Sequence, residues 1–518
     1  MGTMYKEIKC KNQTDFMDYV KTRSEIVIYG AGWAGKLVYN FLKIYDIQVS
    51  AFAVTKLQKV ERIEQICVLS LDEALCKYPA AFIILAVLPD KQIEMQNFLE
   101  MKGVIDYFVL PELLLYEMRS EVLKYDADHW RYDIEITENK FRIGYLCPGY
   151  LDTNYAEQRL VINKVNEVEY ISLPKVPGKV LYKDVEYQNS GISDCKMMTE
   201  ASYFPGFIPT GIDLIHTFNT VCITDRLWIA SFETTLPRIP ITSDTEKAQY
   251  LYLVDYIVKD NCRGILALCR TTYNIQCDVL RQHLPSDIAE KIIRKTKILH
   301  PPQEILISGE QFDKKHSKKQ IQFIFIGHSF FFKGGREIIN ALSVFEHQYD
   351  FRLTVISSLV IDDYFTHASI NDKLEIQNVI KTKKWIDYYD SLPNERVLEM
   401  CRQATVGLLP SFADTYGYAV LEMQAAGCPV ITTNVRAFTE TNDDECGWIC
   451  TLPVNQYGMC DAGHLPELSR QLEKELIKCF AEIFQNPVCI KEKGRKALEK
   501  IKRMHDPKAY ADVIRGMI

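Results

Sequence analysis

Two acids and a lysine offer the most chemistry in this chain. Asp414 and Glu422 stand eight residues apart around Gly417, in a run over 409–431 that reads Leu-Pro-Ser-Phe-Ala-Asp-Thr-Tyr-Gly-Tyr-Ala-Val-Leu-Glu-Met-Gln-Ala-Ala-Gly-Cys-Pro-Val-Ile. An apolar strand ends at Leu409, a loop with Gly417 leads into a helix over 418–426, Gly427 stops that helix, and Pro429 opens the next strand. Main-chain N–H groups near Gly417 and Tyr418, at the positive end of the helix dipole, favour an anion. Gly417 has no side chain, so a phosphate can approach the backbone closely. Glu422, on the first turns, can accept hydrogen bonds from a pair of ribose hydroxyls, and Asp414, on the loop, from hydroxyls of a sugar. A second run, 325–336, ends a strand at Gly327 and opens a helix after Gly334-Gly335. It carries His328, Lys333 and Arg336, of which His328 bears full charge only below about pH 6.5.

The two runs resemble the family-4 retaining glycosyltransferases of the GT-B fold. That family's mark is a Glu-x7-Glu pair inside Pro-Ser-x-x-Glu-x-x-Gly…Glu-Ala-x-Ala-x-Gly-x-Pro-Val-Ile. Pro410, Ser411, Gly417, Ala425, Ala426, Gly427, Pro429, Val430 and Ile431 fit; Glu422 is the second acid of the pair, and Asp414 replaces the first with a side chain one methylene shorter. By this resemblance Glu422 binds the nucleotide ribose and Asp414 the donor sugar, with Ser411, Gly417 and Tyr418 in the same donor site. Lys333 matches the lysine that holds the donor diphosphate. His328 stands where an arginine is usual, and Arg336, three residues beyond Lys333, is placed to compensate. Further upstream the likeness is weaker. Residues 213–219 look like the family's Asp-x-x-His element, with His216 either in the site or a satisfied core histidine. Residues 228–238 look like the next strand, with Glu233 at its tip. A carboxylate there can orient or deprotonate an acceptor hydroxyl, so Glu233, Lys333 and Asp414 form the expected catalytic set. Retention at the anomeric carbon is implied by the resemblance alone. The departures at Asp414 and His328 keep a second reading open: a degenerate nucleotide-sugar-binding scaffold subunit without turnover.

Breaking the bond between sugar and nucleotide leaves a diphosphate with new negative charge, which preorganised cations and N–H groups stabilise. A metal-independent transferase of the EC 2.4 class, with a nucleotide-sugar as donor substrate and no cofactor, is therefore expected. Asp126 and Asp128 make an Asp-x-Asp pair, but in a linker. Asp362-Asp363 and Asp443-Asp444 read as loop or helix-end charges, and Cys446 and Cys450 lack a second pair to complete a zinc site.

The elements that must position these groups alternate between apolar strands and amphipathic helices, the pattern of an α/β protein with parallel sheets. At roughly 150 residues per domain, 518 residues suggest three or four domains. The expected division is a small Rossmann-like domain over 1–125, a GT-B acceptor-side lobe over 126–310, a nucleotide-sugar-binding lobe over 311–490, and C-terminal helices over 491–518 packing back on the acceptor-side lobe. Strands are expected at 25–29, 49–54, 82–88 and 104–110, then at 141–147, 213–218, 227–232 and 264–268, then at 321–326, 352–356, 405–409 and 429–433. The charged runs 124–140 and 313–319 read as linkers, and 174–202 as a surface excursion. Leu472, Leu476, Phe480 and Ile483 give the tail a helical apolar period.

Hydrophobic residues make up 47% and charged residues 25%, enough apolar surface for a core in each domain. A net charge of -7 gives no reason to expect nucleic acid as a partner. Sixteen scattered cysteines, many in apolar runs, read as reduced core residues of a cytoplasmic protein. No apolar run is long enough to span a bilayer, and the first residues do not form a signal peptide. Basic clusters at 291–297 and 314–319 read as solvated faces, with peripheral contact at the inner face of an anionic membrane as the functional alternative.

Gly30, Gly32 and Gly35 follow a strand and open a helix, the setting of a dinucleotide fingerprint. The acid expected about 20 residues later is missing, since 50–58 holds neither Asp nor Glu. This block resembles the small Rossmann-like domains attached to bacterial polysaccharide-biosynthesis enzymes, which implies nucleotide binding or homo-oligomeric assembly rather than redox chemistry. Tyr39 and Lys43 have the spacing of a dehydrogenase or epimerase pair but fall on the first helix, too early for that role. The implied partners are a nucleotide-sugar donor and a glycan, lipid-linked or protein acceptor, in polysaccharide or glycan assembly.

Overall fold

Short, mostly buried strands build three six-stranded sheets, besides a small three-stranded one, in the computed structural model. It describes residues 13–122 except 56–60, 64, 88, 105–106, 112–113, 116–117 and 119–120; the segments 141–146, 168–172, 175–176 and 202–205; and residues 211–517 except 362–364. The expected linker 124–140, most of the excursion 174–202, and the pairs Asp126/Asp128 and Asp362/Asp363 lie outside the described residues. The chain divides into two compact units. One holds 1–136 with 149–153 and 172–211; the other holds 137–148, 154–171 and 212–518.

The first unit contains a six-stranded sheet in the order Glu61–Ile63, Ile66–Ser70, Ala51–Val54, Ile26–Tyr29, Phe82–Leu85, Tyr107–Val109. All neighbours are parallel except the first pair, an antiparallel hairpin. Successive side chains of a strand face opposite ways. Ile26 and Ile28 accordingly join a cluster with Phe16, Phe41, Phe52 and Phe108, while Val27 and Tyr29 join Leu71, Leu85 and Leu99 on the other face. The fingerprint glycines have their steric reasons. Gly30 has φ +126°, and a Cβ there would lie 2.4 Å from the Ala86 carbonyl oxygen; a Cβ on Gly35 would meet the Gly30 carbonyl at 1.8 Å. Gly32, at the N-cap of the helix Trp33–Ile44, faces open space. Tyr39 packs edge-on against Phe52 with Lys43 over its ring, in keeping with a structural role.

The second unit holds two further sheets. The first lobe's sheet runs Thr296–Ile298, Cys262–Ala267, Trp228–Phe232, Leu214–Phe218, Phe141–Leu146, Val168–Ser172. The second lobe's sheet runs Ile386–Tyr389, Phe351–Ile356, Ile321–Ile326, Val406–Leu409, Val430–Thr433, Gly447–Cys450, and every adjacent pair is parallel. Three Rossmann-like parallel sheets are thus present, the α/β architecture that the resemblance implies. In the second lobe the chain moves outward from Ile321–Ile326 in one direction and returns to its other side with Val406–Leu409. That reversal is a topological switch point, and ligands of open α/β sheets bind at the carboxyl ends of the strands that flank one.

The expected linker at 313–319 is instead largely helical. Gly309–His316 is an α-helix opened by a capping box in which Ser308 and Gln311 satisfy each other's main-chain N–H groups. Phe312 is buried, and the ammonium of buried Lys315 donates to the Ala426 carbonyl at 2.7 Å. The tail forms the helices Leu465–Gln485, Val488–Met504 and Pro507–Arg515. Leu472, Leu476, Phe480 and Ile483 all enter the second-lobe core. Ile501, Tyr510, Ala511, Ile514 and Met517 instead pack with Ile143, Leu214, Phe218, Ile229 and Leu266 of the first lobe.

Candidate active site

Lys333 and Asp414 meet at the strand-order reversal of the second lobe. They follow the two adjacent strands Ile321–Ile326 and Val406–Leu409, 81 residues apart in sequence, and Lys333 Nζ donates to Asp414 Oδ2 at 2.7 Å. Both side chains are mostly covered, at 22% and 12% exposure. Gly327 makes the approach feasible, because a Cβ there would lie 2.4 Å from Lys333 Cδ. Asp414 Oδ1 accepts the main-chain N–H of Tyr416, which fixes the loop that carries it.

Two left-handed glycines set the helix starts beside this pair. Gly334, at φ +76°, precedes the helix Gly335–Ser343, and a Cβ on it would strike the Pro410 carbonyl at 2.5 Å. Gly417, at φ +78° and ψ 57°, precedes the helix Tyr418–Ala425, and no side chain caps that helix. A Cβ on Gly417 would sit 2.1 Å from the Phe438 ring. The helix is wedged between the lobes: Val420 and Met423 enter the second-lobe core, while Leu421 and Ala425 join the first-lobe strands. Glu422 lies between these two sides, in line with Tyr418 against the first-lobe cluster and Ala426 in the second-lobe core, and is 3% exposed.

Other expected donor-site residues divide differently. Ser411 is fully buried; its Oγ has no hydrogen-bond partner among the described residues, and its carbonyl accepts from Thr433 Oγ1 at 2.6 Å. His328 remains at the strand end and bonds through Nδ1 to Ser358 Oγ at 3.1 Å. Arg336 is engaged with Asp372, and its guanidinium lies over the Phe331 ring. Asp372 itself caps the helix Ile370–Thr382, so Arg336 joins a helix-capping cluster rather than the Lys333–Asp414 pair.

The first lobe brings Glu233 to the tip of Trp228–Phe232. Asn219, held at φ 57°, accepts the Glu233 main-chain N–H at 3.0 Å and donates to Glu233 Oε2 at 3.3 Å. Burial pushes the Glu233 carboxyl above its ordinary range; Asn219, Arg238 and Arg436 oppose that shift, and the nearby charge of Asp414 adds to it. Glu233 and Asp414, from opposite lobes, therefore sense one another. His216 is a core residue: it bonds Ser231 Oγ at 2.8 Å, and burial lowers its pKa to about 3, so it stays neutral.

Several polar links cross between the lobes. Glu440 accepts the N–H groups of Arg270 and Thr271, at the start of the helix Arg270–His283. His300 Nδ1 bonds the hydroxyl of fully buried Tyr416 at 2.8 Å. Arg436 donates to the main-chain carbonyl of Glu233 at 2.9 Å. Sequence reasoning missed Asn219, Arg436 and Glu440. The readable signal for Arg436 was an arginine shortly after the apolar strand Val430–Thr433, on the sheet edge that carries Asp414.

Residues 307–457 match the family model for glycosyl transferases group 1. The matched segment contains Lys333, Asp414, Gly417, Glu422 and Arg436, whereas Glu233 and Asn219 lie upstream of it. No curated protein sequence matches the chain. Among solved structures it is similar to Anabaena Alr3699/HepE in complex with UDP and glucose, at 9% identity over 95% of this chain and 98% of that one, with a TM-score of 0.40. It is also similar to sucrose-phosphate synthase from Thermosynechococcus elongatus, at 11% identity over 96% and 98%, TM-score 0.41. A third is WaaG, a glycosyltransferase involved in lipopolysaccharide biosynthesis, at 15% identity over 72% and 100%, TM-score 0.42. Among the described residues no helix is long and apolar enough to cross a membrane.

Proposed function

We propose that this chain transfers a sugar, with retention at the anomeric carbon, from a nucleoside-diphosphate donor to a hydroxyl acceptor in polysaccharide or glycan assembly. The observation that carries this reading is the Lys333–Asp414 contact at the sheet's strand-order reversal, beside a helix start left open by Gly417. The donor's diphosphate takes Lys333 and the N–H groups at Tyr418, its ribose takes Glu422, and Asp414 turns to the hydroxyls of the sugar. As the bond from the anomeric carbon to the diphosphate breaks, the leaving oxygen gains charge that Lys333 and the helix start stabilise without solvent reorganisation. The acceptor oxygen bonds to the same carbon, and its proton passes to Glu233 or to the departing phosphate oxygen. These fixed cations and dipoles make transfer independent of a divalent metal, and the first unit serves binding or assembly rather than redox chemistry.

The test is a panel of sugar nucleotides incubated with the full chain, with and without EDTA, reading release of nucleoside diphosphate. Release from at least one donor that survives EDTA is the expected result. Tight binding of a donor with no release under any acceptor condition would favour the scaffold reading, which the substitutions at Asp414 and His328 motivate. A strict requirement for manganese or magnesium would count against the metal-independent site.

A further inference from the structure

Arg436 is costly to hold where it stands. Its backbone has φ 41°, a left-handed conformation unfavourable for any residue with a Cβ. Gly458 must be a glycine to seat it, because a Cβ there would lie 2.5 Å from the Arg436 main-chain nitrogen. The side chain is only 8% exposed, yet among the described residues no carboxylate lies within ion-pair distance of it. Its Nη2 bonds one main-chain carbonyl, that of Glu233, and its buried Nε has no partner among the described residues. A buried guanidinium with no carboxylate partner and a buried donor left unbonded is destabilising by itself. Strain and unpaired polarity that persist together at one residue point to a ligand.

The neighbourhood says what kind. Arg436 lies beside the carboxylates of Glu233 and Asp414 and the exposed Arg238, close enough for their charges to affect it. Its loop follows the strand Val430–Thr433, which adjoins the strand leading to Asp414, and Thr433 ties the two loops through Ser411. Lys333 and Asp414 pair with each other at 2.7 Å, and among the described residues Arg436 has no ion-pair partner of its own. A planar fork of donors in that position fits an oxyanion.

We infer that Arg436 binds an anionic oxygen of the donor substrate, either on the diphosphate or on a carboxylate-bearing sugar. The inference rests on the donor-site reading given above and adds to it a cation that the family resemblance did not supply.

Isothermal titration of the full chain with UDP, GDP, ADP and CDP, with their glucose and glucuronic acid derivatives and with the matching nucleosides tests it, beside Arg436→Gly and Arg436→Gln. Glycine accepts the left-handed backbone, so Arg436→Gly should keep or raise the unfolding midpoint while weakening diphosphate binding about 10- to 100-fold. Nucleoside affinity should stay unchanged in both variants, which a merely structural role does not predict. If only a donor carrying a uronic acid loses affinity, the oxyanion belongs to the sugar, and the inference holds in that form. Wild-type affinity of both variants for every diphosphate and sugar nucleotide would overturn it while leaving the donor site intact. If the wild-type chain binds none of these probes, the donor-site reading falls and this inference with it.

Discussion

Replacing Lys333 by methionine removes one charge and keeps most of the volume of its stem. In the free protein the cost is modest. The pair is short at 2.7 Å but partly exposed at 22% and 12%, so solvent screening trims it to about 1–2 kcal/mol, between a surface pair and a buried one. In turnover the loss is larger. One fixed donor aimed at a developing oxyanion is worth about 2.7–4 kcal/mol, or roughly 10²–10³ in kcat. Lys333→Met should therefore lower kcat by that factor, read as nucleoside diphosphate released per second at saturating donor. Asp414→Asn should lower turnover as well, by removing the charge and turning one of the two acceptor oxygens for the sugar hydroxyls into a donor. Since the two groups touch, the double variant should lose less than the product of the single losses, with a coupling of about 0.5–3 kcal/mol. Multiplicative losses, or a Lys333→Met enzyme within threefold of wild type, would refute the assignment of this contact to catalysis.

Asp414→Asn also removes a negative charge that raises the Glu233 pKa, so the acidic limb of kcat/KM should move to lower pH; an unmoved limb would mean that Glu233 does not set it. Gly417→Ala places a Cβ 2.1 Å from the Phe438 ring at φ +78°. It should cost about 2–5 kcal/mol in urea unfolding from backbone strain and overpacking together, whereas Gly309→Ala, which meets nothing within 4 Å, should be nearly silent. Glu337 is buried, bonded to Ser469 and pushed up to about 7 by desolvation, from an ordinary 4.5. Its folded form prefers the proton, so its contribution is intact below pH 4.5 and lost as pH rises towards 7. At about 1.4 kcal/mol for each pH unit between these values, the penalty reaches roughly 3 kcal/mol. Glu337→Gln should thus flatten the fall in stability between pH 5 and pH 8, and parallel curves would remove this carboxyl as the cause.

Local rules made much of the second lobe legible. The strand-glycine-helix punctuation around Leu409, Gly417 and Gly427 follows from backbone sterics that a sequence displays directly. What a sequence does not display is strand order. Lys333 and Asp414 become partners only because the chain reverses its direction of winding, which brings strands from distant positions side by side. Arg336 was attractive as a charge near Lys333, but helix geometry sends it to Asp372. Composition was a poor guide at 313–319, where a dense charge run hides a capped helix. Its Ser308-x-x-Gln311 signature was readable, but the burial of Phe312 and Lys315 was not. His216 was undecided on paper and settled by packing, since its environment leaves room only for the neutral ring bonded to Ser231.

The helix Pro507–Arg515 has a consequence for biosynthesis. Arg263, on a strand of the first lobe, bonds the main chain of Met517, 254 residues later, and the Met517 side chain fills the space beside Gly264. Until that helix leaves the ribosome, the apolar wall of Ile143, Leu214 and Leu266 lacks its cover. At about 5–20 residues per second, the nascent lobe waits roughly 12–50 s with this surface bare. A chaperone that shields exposed apolar surface is most needed in that interval, and a stop codon placed before 507 should yield aggregates rather than a truncated, working enzyme.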